Sequence, residues 1–103
     1  MEKKKDKKME IELPKEEAPG TYSNLVMITH SPSEFVLDFI AIMPGLTKAK
    51  VVKRMILTPE HAKRFSHALQ DNIRRYEELH GEIKTRGKNE QQPFNYRGPL
   101  PEA

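Results

Sequence analysis

The chain has 103 residues and a formal net charge of +3, from 18 lysine and arginine residues against 15 acidic residues. Its length allows a single domain, and the absence of cysteine excludes disulfides and thiolate metal sites. The longest apolar stretch is interrupted by Asp38 and is too short to cross a bilayer. We therefore expect a cytoplasmic protein with no membrane partner.

Two polar segments flank the only part of the chain that can form a core. Residues 1–19 are rich in lysine and glutamate, and the opening MEKKKDKK accounts for the whole net charge. Residues 84–103 are polar and contain several prolines. Such compositions bury too little apolar surface to fold, so we predict a disordered basic N-terminal tail and a disordered C-terminal tail. Residues 20–83 then form the domain, and a domain this small is marginally stable, which favours an oligomer.

Three strands are predicted within that domain. The segments YSNLVMITHS (22–31), EFVLDFIAIM (34–43) and AKVVKRMILT (49–58) are rich in β-branched and aromatic residues. Short stretches containing proline, serine or glycine separate them. Because short connections join antiparallel neighbours, we predict a β-meander.

A long amphipathic helix follows the third strand. Thr58 is a candidate N-cap, Pro59 suits the first helical position, and Gly81 is a natural C-terminal stop. The apolar residues that recur along one stripe are Ala62, Phe65, Leu69, Ile73 and Tyr76. The predicted fold is therefore α+β, a three-stranded antiparallel β-meander followed by one long C-terminal helix.

The second strand is apolar on both sides and carries one charge, Asp38. We assume a hairpin register in which Met43 lies near Ala49. The pairs that follow are Phe35 with Leu57, Leu37 with Met55, and Asp38 with Arg54. This register opposes two unlike charges across the strands, which stabilises a sheet by about 0.2–1 kcal/mol.

The helix can cover only one face of this sheet. We expect it on the face of Phe35, Leu37 and Phe39, together with Leu25, Met27 and Leu57. The opposite face would stay apolar, and an exposed apolar patch of that size marks an interaction site. The residues predicted for this interface are Val26, Ile28, Val36, Asp38, Ile40, Ile42, Val52, Arg54 and Ile56. A second copy of the chain is the expected occupant, with the Asp38–Arg54 pair fixing register and partner identity.

No catalytic, metal or cofactor site is predicted. Of the four histidines, His61 and His67 are six residues apart on the predicted helix, about 240° round its axis, so they do not converge on one metal ion. His30 follows a strand, and the sequence places no further ligands near it. The chain has no glycine-rich phosphate loop. We therefore expect a protein that is not an enzyme and needs no cofactor. A site formed between subunits from Asp38, Arg54 and His30 remains the enzymatic alternative.

Both tails offer partner hypotheses. The lysines of residues 3–8 could bind nucleic acid by charge, although no aromatic residues lie among them for base stacking, which favours a solubilising tail. The segment PFNYRGPLP (93–101) places aromatic residues among prolines and could serve as a docking peptide. A tail without a ligand is the favoured interpretation there too.

The segments HSPSEFVLDF and PEHAKRF…L..NIRRYE resemble a family of small uncharacterised proteins from bacteria and archaea. The resemblance covers about residues 22–81. It implies a prokaryotic source and a compact meander-plus-helix domain, and it implies no catalytic residues.

The function predicted from these features is a homo-oligomeric binding or scaffold protein that is not an enzyme and assembles through its sheet face. One alternative is a holdase-like chaperone or peptide-binding module, because a strand meander with one long helix is similar in plan to protein-export chaperones. Another is a nucleic-acid-associated protein that uses the lysine-rich tail.

Overall fold

The computed structural model describes residues 8–85. Three antiparallel strands form one open sheet in the order β1-β2-β3, and a single helix follows them. Strand β1 is Leu25–His30, β2 is Phe35–Ala41, β3 is Lys50–Leu57, and helix α1 is Pro59–His80. The predicted α+β meander with a long C-terminal helix is therefore confirmed.

The predicted tails contribute little regular structure to the described part of the chain. A single 3-10 turn, Lys15–Glu17, lies in the N-terminal segment, and residues 8–20 are exposed throughout. The predicted C-terminal tail lies outside the described residues except for residues 84 and 85.

The two connections of the meander are built from turn residues. Between β1 and β2, the Ser31 amide donates to the Glu34 carbonyl at 2.9 Å, and the buried Ser31 hydroxyl accepts from the Ser33 amide. Between β2 and β3, Gly45 has a φ of 86°, which a residue without a Cβ adopts without strain. Both connections are short enough to keep successive strands adjacent.

The β2–β3 register agrees with the prediction along most of the hairpin. Three predicted pairs are present: Phe35 with Leu57, Leu37 with Met55, and Asp38 with Arg54. A register shift follows between Phe39 and Ile40, so that Ile40 pairs with Val51 and Val52 is the extra residue. The predicted pairing of Met43 with Ala49 is wrong, because the ladder ends at Ala41 and Lys50.

The β1–β2 register corrects the predicted division of β1 between the two faces. Val26 pairs with Phe39 and Ile28 with Leu37, whereas Met27 pairs with Asp38. Residues that pair directly share a face. Val26 and Ile28 therefore lie with the aromatic residues of β2, and Leu25 and Met27 lie with Asp38, the reverse of the prediction.

We name one face of the sheet after the phenylalanines of β2 and the other after Asp38. The aromatic face consists of Val26, Ile28, His30, Phe35, Leu37, Phe39, Lys53, Met55 and Leu57. The Asp38 face consists of Leu25, Met27, Thr29, Val36, Asp38, Ile40, Val51, Arg54 and Ile56. In β1 the residues of the Asp38 face are half-buried, whereas those of the aromatic face are exposed.

Helix α1 has well-formed ends. The Thr58 hydroxyl accepts a hydrogen bond from the His61 amide at 3.1 Å, Pro59 occupies the first position, and Gly81 ends the helix with a φ of 95°. Ion pairs join Glu60 to Arg64 and Asp71 to Arg74 along the surface. The predicted cap, start and stop of the helix are confirmed.

The helix does not cover the sheet. None of its 22 residues is buried, and its contacts with the sheet are mainly with β3. The expectation that it packs on the aromatic face of its own chain is therefore wrong. The physical reason is the connection: Thr58 alone separates β3 from α1, and its backbone is extended, with φ −69° and ψ 157°.

Candidate functional site

The most deeply buried charge in the described chain lies at the centre of the sheet. Asp38 is on β2, which has a strand on either side, and it is only 1% exposed. Its neighbours on the same face of β2, Val36 and Ile40, are also buried. A carboxylate in such a place is stable only when it is paired and hydrogen-bonded.

Arg54 binds this carboxylate with both ends of its guanidinium. Nε donates to Oδ1 of Asp38 at 2.6 Å, and Nη2 donates to Oδ2 at 2.8 Å. The Arg54 side chain is 37% exposed, so one partner of the ion pair is buried on β2 and the other is partly accessible on β3. Planar bidentate pairing of this kind adds geometric specificity to the attraction between charges.

The pair suits a structural role better than a catalytic one. Both carboxylate oxygens accept hydrogen bonds from Arg54, and the carboxylate is closed to solvent. A one-residue slip of β3 would move Arg54 to the other face and remove it from Asp38. The pairing of Asp38 with Arg54 is therefore compatible with the observed register of β2 and β3, and its role in fixing that register stays a prediction.

The histidines are dispersed over the described residues. His30 stacks on Phe35 with ring centroids 5.4 Å apart, and His80 lies against Tyr76 at 4.7 Å. His67 lines a shallow surface depression on the helix with Gln70, Asp71 and Arg74, all of them exposed. Within residues 8–85, no group of three or more histidine, cysteine or acidic side chains could hold a metal ion.

The predicted interface residues do not form one surface. Val26 and Ile28 lie on the aromatic face, while Val36, Asp38, Ile40, Arg54 and Ile56 lie on the opposite face. Val52 is at the register shift, and Ile42 lies beyond β2, where its amide donates to the Asn24 side chain. The structure thus divides the predicted set between two faces of the sheet.

The exposure of the helix stripe was not predicted from sequence. The helix stripe, defined as Ala62, Phe65, Leu69, Ile73 and Tyr76, meets no covering element in the described chain, and Leu69 is 48% exposed. On the aromatic face, Ile28 is 58% and Met55 is 45% exposed. The one-residue connection at Thr58 was the signal in the sequence that the helix cannot fold back onto its own sheet.

These features define a small α+β protein with an open three-stranded sheet, an internal Asp–Arg pair and an unpacked amphipathic helix. The chain belongs to the family described as "Protein of unknown function (DUF3467)", whose model matches residues 1–85. The match confirms the resemblance to an uncharacterised family and includes the N-terminal segment that the resemblance left out.

Comparison with curated proteins and with solved structures gave no match. Within the described residues, no helix is long and apolar enough to cross a membrane.

Proposed function

We propose that this protein is a homo-oligomeric scaffold or binding protein of the prokaryotic cytoplasm, and that it carries out no catalysis. The observation that carries the proposal is the helix stripe, an apolar surface along a 22-residue helix with no buried residue. Exposed apolar patches of such extent mark interaction sites in soluble proteins.

The small core of the single chain supports the proposal. Among the described residues, the buried hydrophobic side chains are Val36, Leu37 and Ile40. Full burial of such a side chain contributes about 1.5–3 kcal/mol. Ordering one residue of backbone costs about 1–2 kcal/mol, so three buried side chains offset the ordering of only a few residues. Association with a partner supplies the missing burial.

The proposal is tested by the concentration dependence of thermal unfolding, followed by far-ultraviolet circular dichroism. If folding and association are coupled, the midpoint of the full-length protein rises as its concentration is raised from micromolar to hundreds of micromolar. A midpoint that does not move over this range would overturn the proposal.

A second candidate function, peptide binding by strand addition, is favoured by the sequence of β1. This edge strand, LVMITH, contains no lysine, arginine, acidic residue or proline. The other edge, β3, carries Lys50, Lys53 and Arg54 and a register shift, features that natural sheets use to block edge pairing. An open edge beside an apolar face is the arrangement that β-strand addition requires.

Titration with a synthetic peptide of residues 25–30 distinguishes this candidate. Strand addition would shift the backbone amide resonances of β1 while leaving those of β3 in place. Amide shifts on β3, or none at all at millimolar peptide, would exclude strand addition at β1.

A further inference from the structure

We propose that helix α1 of each protomer packs across the aromatic face of a second copy, so that two chains exchange their helices reciprocally. This inference rests on the proposed homo-oligomer and specifies how it assembles. It assigns one occupant, the partner's helix stripe, to the face that the chain's own helix leaves open.

The connection between β3 and α1 prevents the helix from reaching its own sheet. Strand β3 ends at Leu57 and the helix begins at Pro59, so one residue joins them. Connections that return a helix onto the sheet of its preceding strand are usually two to six residues long. Pro59 also restricts Thr58 to extended backbone, which carries the chain away from the end of the strand. Short hinges of this kind favour exchange of an element between copies.

The two unpartnered surfaces match in length and character. Along the helix stripe, the distance from Ala62 to Tyr76 is about 21 Å at the usual helical rise. Along strand β2, the distance from Phe35 to Ala41 is about 20 Å at the usual strand rise. The stripe is apolar, and the aromatic face is mostly so, with Lys53 opposite Phe39, Lys50 opposite Ala41 and His30 opposite Phe35 along its edges. A helix laid along the strands would therefore cover the face from end to end.

A second copy is the occupant that satisfies both surfaces at once. Each chain offers one helix stripe and one aromatic face, and a two-fold axis turns these into two identical contacts that close the assembly. A different partner that covered only the aromatic face would leave the helix stripe exposed, and one that covered only the helix stripe would leave the aromatic face exposed. Charge does not oppose self-association, because the chain beyond residue 8 carries 13 basic and 13 acidic residues (18 − 5 and 15 − 2).

The exchange is tested by isotope-filtered nuclear Overhauser spectroscopy on the full chain. Carbon-13-labelled and unlabelled protein are mixed in denaturant and refolded together, so that mixed oligomers form. Contacts between chains are then observed directly, whatever the register of the helix on the sheet. We expect intermolecular cross-peaks that join Leu69 and Ile73 to Ile28 and Met55.

The other outcomes separate this inference from the proposed function. An oligomer in which the intermolecular cross-peaks join helix to helix, or sheet to sheet, would overturn the exchange and leave the homo-oligomer standing. The same is true of an oligomer in which the helix-to-sheet cross-peaks arise within one chain. A monomeric sample without intermolecular cross-peaks would overturn both.

Discussion

At the scale of single residues, the Asp38–Arg54 pair joins the central strand to β3 by a bidentate ion pair. The carboxylate is closed to solvent on the central strand, and the guanidinium reaches it from an edge strand. Desolvation of a carboxylate is costly, and a well-placed partner offsets that cost rather than adding a large surplus. The pair should therefore be more valuable for specifying the register than for raising stability.

Substitution of Arg54 tests this role. We expect Arg54→Met to lower the free energy of unfolding by about 3 kcal/mol, the lower end of the range for breaking a buried pair, because Asp38 is buried whereas the Arg54 side chain is 37% exposed. The double variant Asp38→Leu/Arg54→Met should recover much of that loss, since it removes the buried charge together with its partner. Urea unfolding measures both.

The matched control is an arginine in an exposed pair. Arg64→Met breaks the ion pair with Glu60 on the helix surface and should change the free energy of unfolding by less than about 1 kcal/mol. Equal losses for Arg54→Met and Arg64→Met would show that the Asp38 pair has no special role.

The Thr58 cap is the second residue-scale test. Its hydroxyl satisfies the His61 amide at the start of the helix. Thr58→Ala should lower the free energy of unfolding by about 1 kcal/mol. Thr47→Ala, in the exposed β2–β3 connection, is the control and should have an effect within about 0.5 kcal/mol. A cap variant as stable as the control would contradict the assigned role.

At the scale of elements, the separation of helix from sheet follows from the connection between them. Both elements are well specified, and each presents an apolar surface. A single extended residue before Pro59 keeps these surfaces apart within one chain. The length of this connection should therefore decide whether the helix packs on its own sheet or on that of a partner.

Lengthening the connection tests that dependence. Insertion of Gly-Ser-Gly-Ser between Leu57 and Thr58 should let the helix fold back, and the protein should become a monomer. Mass from light scattering reports the change. The control is the same insertion after Gly45, in the β2–β3 connection, which should leave the oligomer intact. An oligomer that survives the first insertion would contradict exchange driven by the short connection.

The elements themselves were predictable from local chemistry. Threonine, proline and glycine mark the ends of the helix, and the opposite charges at Asp38 and Arg54 agree with the register that was assumed for β2 and β3. The faces of β1 were not predictable, because Leu25, Val26, Met27 and Ile28 are all apolar and alternation carries no signal there. The register shift at Phe39 and Ile40 likewise has no mark in the sequence. The position of the helix was mispredicted because its amphipathic pattern reveals an apolar stripe but does not show which surface covers that stripe.

At the scale of the whole molecule, the described chain has a three-stranded sheet and a helix with no buried residue. Its helix stripe is exposed, its aromatic face is exposed at Ile28 and Met55 but buried at Leu37, and its buried apolar core is small. A two-fold exchange would turn these surfaces into a shared core.

A charge placed in the helix stripe should dissociate this assembly. Leu69→Glu removes two symmetry-related leucines from the interface, each contributing about 1.5–3 kcal/mol, so the Kd should rise by roughly 10²–10⁴. Gln70→Glu adds the same charge at the next, polar position and should leave the Kd within about tenfold. Sedimentation equilibrium measures both values. If the two variants associate equally well, the helix stripe is not in the interface.

The most direct test of self-association is the mass of the unmodified full chain in solution, measured by light scattering above and below micromolar concentration. The proposed assembly predicts twice the chain mass of 11.9 kDa, or a higher multiple, at the upper concentrations. A well-folded species of 11.9 kDa at every concentration would contradict it, and would leave the helix stripe and the aromatic face as binding surfaces for another molecule.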